Sequence, residues 1–144
     1  MAILIALHPE TRLIMFKIIL IMLLAGVLSN AMADWQLIES NEMQNAYADP
    51  ATMHKMGDRV ILWSMIDLHV AEKLSDNKPF LSWTTQYEFE CRNKHSRILA
   101  ASMHSGKMGS GEITNSLDFD SPKWEAIRPG SKGESLWKFA CGKK

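Results

Sequence analysis

Residues 85–92 read T-Q-Y-E-F-E-C-R, and the alternation within them decides the fold. Tyr87, Phe89 and Cys91 fall on one side, and Glu88, Glu90 and Arg92 on the other. This is the period of two expected of a strand with its apolar side chains inward and its charges in water. The inward row ends in a cysteine, and the 144-residue chain has only one other, Cys141. Whether the two pair depends first on the compartment in which the chain folds.

The N-terminal stretch bears on that question. Met15 to Ala33 reads M-F-K-I-I-L-I-M-L-L-A-G-V-L-S-N-A-M-A. Lys17 supplies a positive end, joined by Arg12 if translation starts at Met1 and not at Met15. Ile18 to Leu28 is an apolar run, and Ala31-Met32-Ala33 is a small-residue cleavage site before Asp34. Residues 1–33 are therefore expected to be a signal peptide, and residues 34–144 one domain of ordinary size. The apolar run falls short of the roughly 20 residues that span a bilayer. An uncleaved anchor helix is the alternative. No cysteine follows the cleavage site, so the expected product is not a lipoprotein. Its default residence is the periplasm, with the cell surface or the medium as further destinations.

In an oxidising compartment two cysteines in a small domain most often bridge, here Cys91 to Cys141. Closing a loop of about 50 residues would contribute roughly 4 kcal/mol in the chain-entropy model. Two free thiols or an intermolecular bridge are the alternatives. The balance of 16 basic and 16 acidic residues gives no warrant for nucleic-acid or anionic-lipid binding.

Strand signals fill most of the rest. Trp35 and Leu37 alternate near the start, Asn45 to Tyr47 is short, and Asp49-Pro50 stops it. The strongest run, Arg59 to Val70 (R-V-I-L-W-S-M-I-D-L-H-V), is apolar on both faces near its middle, as suits a central strand covered on both sides. Ala71 to Pro79 reads as a polar connection, Phe80 to Cys91 and Arg97 to Met103 as strands around the turn R-N-K-H-S, and Glu112 to Leu117 as a last edge strand. Ser105 to Gly111, with three glycines, is expected to be a mobile hairpin loop. Near the end the pattern changes. Ser131-Lys-Gly-Glu134 is a capping box, Leu136, Trp137, Ala140 and Cys141 share a helical face, and Gly142 supplies the stop. A helix of about ten residues is marginal alone, so it must be held on the sheet. The five tryptophans are expected to pack in the core, Trp83 being the least securely placed.

No catalytic set can be assembled. The serines lie in no nucleophile elbow, and G-K-M-G-S-G has its lysine ahead of the glycines, where a phosphate-binding loop needs it behind them. Glu88 and Glu90 read as charges on a solvated face. Met53, His54 and Met56, with His104 and Met108 (and Met103 beside them), place thioethers near imidazoles, a pairing that suits Cu(I). Neighbouring residues of a strand point to opposite faces, which weakens them as joint ligands. No cofactor is expected. Arg92, Lys94, His95 and Arg97 cluster at one turn and could engage an acidic surface.

Taken in order, Trp35, Y-A-D-P-A-T (Tyr47 to Thr52), Gly57, V-I-L-W (Val60 to Trp63), Asp67, Y-E-F-E-C (Tyr87 to Cys91), S-G-K-M-G-S-G-E (Ser105 to Glu112) and W-E-A-I-R-P-G-S (Trp124 to Ser131) resemble the surface-adhesin protein E family of Gram-negative bacteria. The resemblance covers nearly all of residues 34–144. It implies an α+β fold: a curved antiparallel sheet of about six strands, with a C-terminal helix tied to its concave face by the disulfide. It also implies a non-enzymatic binding module for extracellular-matrix or serum glycoproteins, and a haem-binding role is associated with the family. The acceptor cysteine of the lipid-anchored adhesin is absent here. For a protein partner the expected contacts are Lys73 and Lys78 on the connection and Arg92, Lys94, His95 and Arg97 on the turn. An exposed sheet edge would allow homodimerisation by strand addition. The second reading is a periplasmic haem or copper binder using His54, His104 and the nearby methionines, and a structural periplasmic protein is a further alternative.

Overall fold

The computed structural model describes Lys17, residues 34–74 and residues 76–143. The expected leader, Lys17 apart, and its cleavage site lie outside the described residues. Among the described residues eight strands form one sheet: β1 (Gln36–Ser40), β2 (Gln44–Ala48), β3 (His54–Met56), β4 (Arg59–Lys73), β5 (Pro79–Glu90), β6 (His95–His104), β7 (Ile113–Asp118) and β8 (Glu125–Ala126). The main path runs β1-β2-β4-β5-β6-β7, every pairing antiparallel; β3 adds to β4 and β8 to β6. The expected count of about six is therefore too low. It counted the main path and missed β3 and β8, which are three and two residues long and carry no periodicity to detect.

The long central run goes further than expected, through Lys73, so that the polar connection is half strand. Val60, Leu62, Ser64, Ile66 and Leu68 face one side and are all buried. On that side lies α1 (Lys132–Cys141). Ser131 caps it, its hydroxyl accepting from the Glu134 N–H, and Gly142 closes it with φ of 63°, a left-handed conformation that favours glycine. Leu136 and Ala140 bury themselves against Val60, Leu62, Phe89 and Ala48. Full burial of a leucine stabilises by about 2 kcal/mol, which a lone short helix cannot supply from propensity. Cys91 and Cys141 are bonded, with Cα atoms 5.6 Å apart, and hold the helix end to the end of β5.

A second apolar cluster, Ala46, Ile66, Leu68 and Phe80, lies further along the sheet and is completed by Leu74, Trp83 and Met103. None of the five tryptophans is fully buried, contrary to expectation: all are part-exposed, Trp137 and Trp83 packing at the margins of the two clusters.

Candidate functional site

The opposite face of the sheet carries Arg59, Ile61, Trp63, Met65 and Asp67 from β4, and it is covered in two places. Over one end lies the glycine-rich segment, which is an anchored loop and not the mobile hairpin expected. Asp67, 5% exposed, accepts from the Met108 N–H at 2.6 Å through Oδ1, and its Oδ2 is 3.6 Å from Lys107 Nζ. Ser82, fully buried, donates to the Gly106 carbonyl at 2.6 Å and accepts from the Gly109 N–H at 2.9 Å. Gly109, at φ of 72°, brings its backbone down onto Met65 and Thr84. Two buried polar side chains thus satisfy the loop's backbone, and the loop in turn excludes water from them.

Over the other end lies Trp124. Glu88, expected in solvent, is 3% exposed. It sits directly opposite Arg97 in the β5–β6 ladder and accepts from Arg97 Nε at 2.7 Å and Nη2 at 2.5 Å. Arg59 Nη1 approaches its second oxygen at 3.6 Å. Both guanidinium groups lie against the Trp124 ring, 5.3 Å away for Arg59 and 4.5 Å for Arg97. Alternation placed Glu88 on the correct face. Strand periodicity cannot show that a segment 36 residues later folds back over that face.

The two groups of contacts expected from sequence lie at opposite ends of β5. At the turn, Arg92 pairs with Asp58 at 2.8 Å and stays largely exposed. Lys94 bonds Glu134 and lies over Trp137, while Arg97 is committed to Glu88. The hydrogen bonds from Lys94 and from the Gly130 N–H hold the Glu134 carboxyl below its ordinary range. His95 is half-buried beside a shallow cleft of about 700 Å³ with Met56, Asp58, Arg59, Glu90 and Trp124. Lys73 and Lys78 lie some 12 residues of strand away, roughly 40 Å at strand rise.

There the β4–β5 hairpin becomes a two-stranded arm. β2 pairs with β4 only as far as Leu68, and β6 pairs with β5 only from Ser82. Beyond those points Glu72 faces Phe80 and Lys73 faces Pro79, and among the described residues the outer edges of both strands carry no further strand. Val70 is 76% exposed on this arm.

The methionine–histidine groups do not converge. His54 is exposed on β3 opposite Ile61, whereas His104 lies opposite Ser82, about six strand residues or 20 Å along β5 from the level of His54. His104 bonds Thr84 Oγ1 at 3.2 Å, and burial pushes its imidazole below the ordinary range. Met53 packs on the main core, while Met56 and Met108 are partly exposed on different elements. Among the described residues no three His, Cys, Asp or Glu side chains come together as a metal site.

The chain is thus an α+β domain of the open-sheet type, with a disulfide-held terminal helix on one face, two covered patches on the other and a free arm. The family model of surface-adhesin protein E matches residues 35–142, and the chain belongs to that family. Two solved structures of Haemophilus influenzae protein E are similar to it. The one from a non-typeable strain has 12% identity and a TM-score of 0.56 over 79% of each chain. A second crystal form has 12% identity and a TM-score of 0.53, covering 73% of this chain and 91% of that one. At such identity the likeness concerns the fold. No curated protein matches the chain.

Proposed function

We propose that this chain is an exported, non-enzymatic binding module of the protein E type and that it takes hold of an extracellular protein through the β4–β5 arm. One observation carries the reading: the arm runs past its neighbours on both sides, offering unpaired backbone edges around Val70. Unpaired edges accept an added strand, and the solvent-facing Val70, on the same arm as Lys73 and Lys78, gives that strand something apolar to cover. The turn at Arg92 to Arg97 is the weaker candidate, because Lys94 and Arg97 already serve Glu134 and Glu88. Extracellular-matrix and serum glycoproteins are the partner class. Among the described residues no helix is long and apolar enough to cross a membrane. Export to the periplasm and beyond is the proposed itinerary, checked by fractionating cells that carry an epitope-tagged chain.

The binding test is surface plasmon resonance against a panel of matrix and serum glycoproteins. Val70→Asp combined with Lys73→Glu and Lys78→Glu is expected to weaken capture about tenfold or more, the effect of losing about 1.4 kcal/mol. Capture that survives those changes but disappears with Arg92→Glu and His95→Glu moves the site to the turn. Pairing of two copies along the open edge of β7, where Ile113 and Leu117 are exposed, is a second reading that sedimentation of the free chain tests.

A further inference from the structure

The outer edge of β6 is occupied by two different strands, and they leave a gap between them. β8 pairs with His95 and Ser96; β7 begins at Ala100. The chain between them bulges away from the edge and returns only where the Phe119 N–H donates to the Leu99 carbonyl at 3.2 Å. The phase of the ladder shows which backbone groups this gap exposes. The Ile127 N–H donates to the Lys94 carbonyl at 3.1 Å, so the Lys94 carbonyl points to the outer edge. Residues of a strand alternate, and the β5–β6 register is unbroken from His95 to Ile98. Ser96 and Ile98 therefore also face outward. Ser96 has β8 as its partner. Among the described residues no strand lies opposite Ile98, and its N–H and C=O open into a cleft of about 540 Å³.

That cleft is apolar where it meets the sheet and basic at its rim. Tyr87, Ile98, Phe119 and Ile127 line its floor and walls, with Ile98 37% and Phe119 44% exposed. Lys123 and Arg128 stand at its mouth, both exposed, and neither is in a salt bridge among the described residues. Glu125 is the one acid lining it, and Arg97 is already committed to Glu88. Two unpaired cations against one carboxylate leave the mouth positive.

We infer that the cleft between β6 and the β7–β8 connection binds the C-terminal end of a polypeptide whose last residue is apolar. The gap is one residue wide and closed on both sides by strands of this chain, so a continuous strand cannot pass through it. A chain end can: one step of backbone pairing with Ile98, the terminal side chain on Ile98, Phe119 and Ile127, and the free carboxylate between Lys123 and Arg128. Backbone pairing distinguishes this occupant from an acyl chain, which would use the apolar floor and the cations but leave the Ile98 amide unmatched. This site is separate from the arm and stands without it.

The test presents the full chain with a pool of octapeptides randomised at their last four positions, as free acids and as C-terminal amides. The free-acid pool is expected to be enriched for apolar final residues. The best peptide so found, labelled at its N-terminus, should bind about tenfold or more tightly than its amide, the worth of one charge-assisted hydrogen bond. Lys123→Glu with Arg128→Glu should reduce its binding by at least the same factor, and the Lys73→Glu/Lys78→Glu arm variant should leave it unchanged. Equal binding of acid and amide, no enrichment in the free-acid pool, or binding of laurate with no peptide retained would each overturn the inference. The acid-versus-amide comparison uses the unaltered chain and so does not depend on how any variant folds.

Discussion

At its Glu90 end, β5 runs into a turn held by four separate attachments: the Cys91–Cys141 bond, the Trp137 indole N–H on the Glu90 carbonyl at 3.3 Å, the Lys94–Glu134 pair, and the Cys91 N–H on the Asp58 carbonyl at 2.8 Å. At its Pro79 end, the same strand continues a ribbon that pairs with neither flanking strand beyond Leu68 and Ser82, its last outer bond on the β4 side being the His69 N–H on the Met43 carbonyl at 2.9 Å. The two ends contain similar numbers of polar residues, yet one commits them internally and the other leaves them in solvent. Attachment explains the difference better than composition does. A segment can be long and exposed only if something else supplies the stability, and here the tethered end and the covered face supply it.

The most forceful way to break this contrast is to cut the tether. Cys91→Ser with Cys141→Ser is expected to lower stability by about 4 kcal/mol, the entropy of closing a loop of about 50 residues, seen as a lower urea midpoint. A loss under about 1 kcal/mol would mean that packing alone holds the helix. Next in size is Glu88→Ala, which leaves the Arg97 guanidinium without its acid beneath Trp124 and should cost about 3 kcal/mol. Adding Arg97→Met to a Glu88→Leu chain should recover most of that loss, because the penalty belongs to the unpaired charge. Asp67→Ala should cost about 1–2 kcal/mol and raise amide exchange at residues 106–110 selectively. Exchange that stays slow there would show that the loop holds itself.

Smaller effects sharpen the contrast. Glu134 has a depressed carboxyl pKa in the folded chain, so the stability it contributes is present above the unfolded carboxylate value of 4.5 and is lost as pH falls through its folded value. Melting temperature should fall in acid below that range, and Glu134→Gln should flatten this part of the profile while lowering stability near neutral pH. At the arm, Lys73→Glu with Lys78→Glu should change stability by no more than about 0.5 kcal/mol while it weakens partner capture. A large loss of stability from that pair would show the arm to be part of the scaffold.

Much of this architecture was legible in the residues themselves. The period of two in residues 85–92 gave the strand and its inward row, the capping box and Gly142 bounded the helix, and two cysteines in a chain expected to be exported pointed to one bond. What was not legible depends on chain segments distant in sequence. Glu88 looks solvated until Trp124 arrives from beyond β7. The glycines of residues 105–111 suggest mobility until Asp67 accepts the Met108 N–H and Ser82 the Gly109 N–H. The gap at Ile98 exists only because β7 and β8 share one edge, and β8 is two residues long. Lys94 and Arg97 look like a basic surface in sequence, but Glu134 and Glu88 already use their charge. By contrast, Lys73 and Lys78 lie on a segment expected to be a connection, and its exposure agreed with that even though half of it proved to be strand.

Hydrogen exchange of the full chain, alone and with a captured glycoprotein bound, tests the division of labour most directly. In the free chain, amides at residues 70–73 should exchange much faster than those at residues 84–90, and the partner should slow the former while leaving the latter unchanged. Arm amides as slow as those of residues 84–90 in the free chain, or new protection confined to the Arg92–Arg97 turn, would contradict the account.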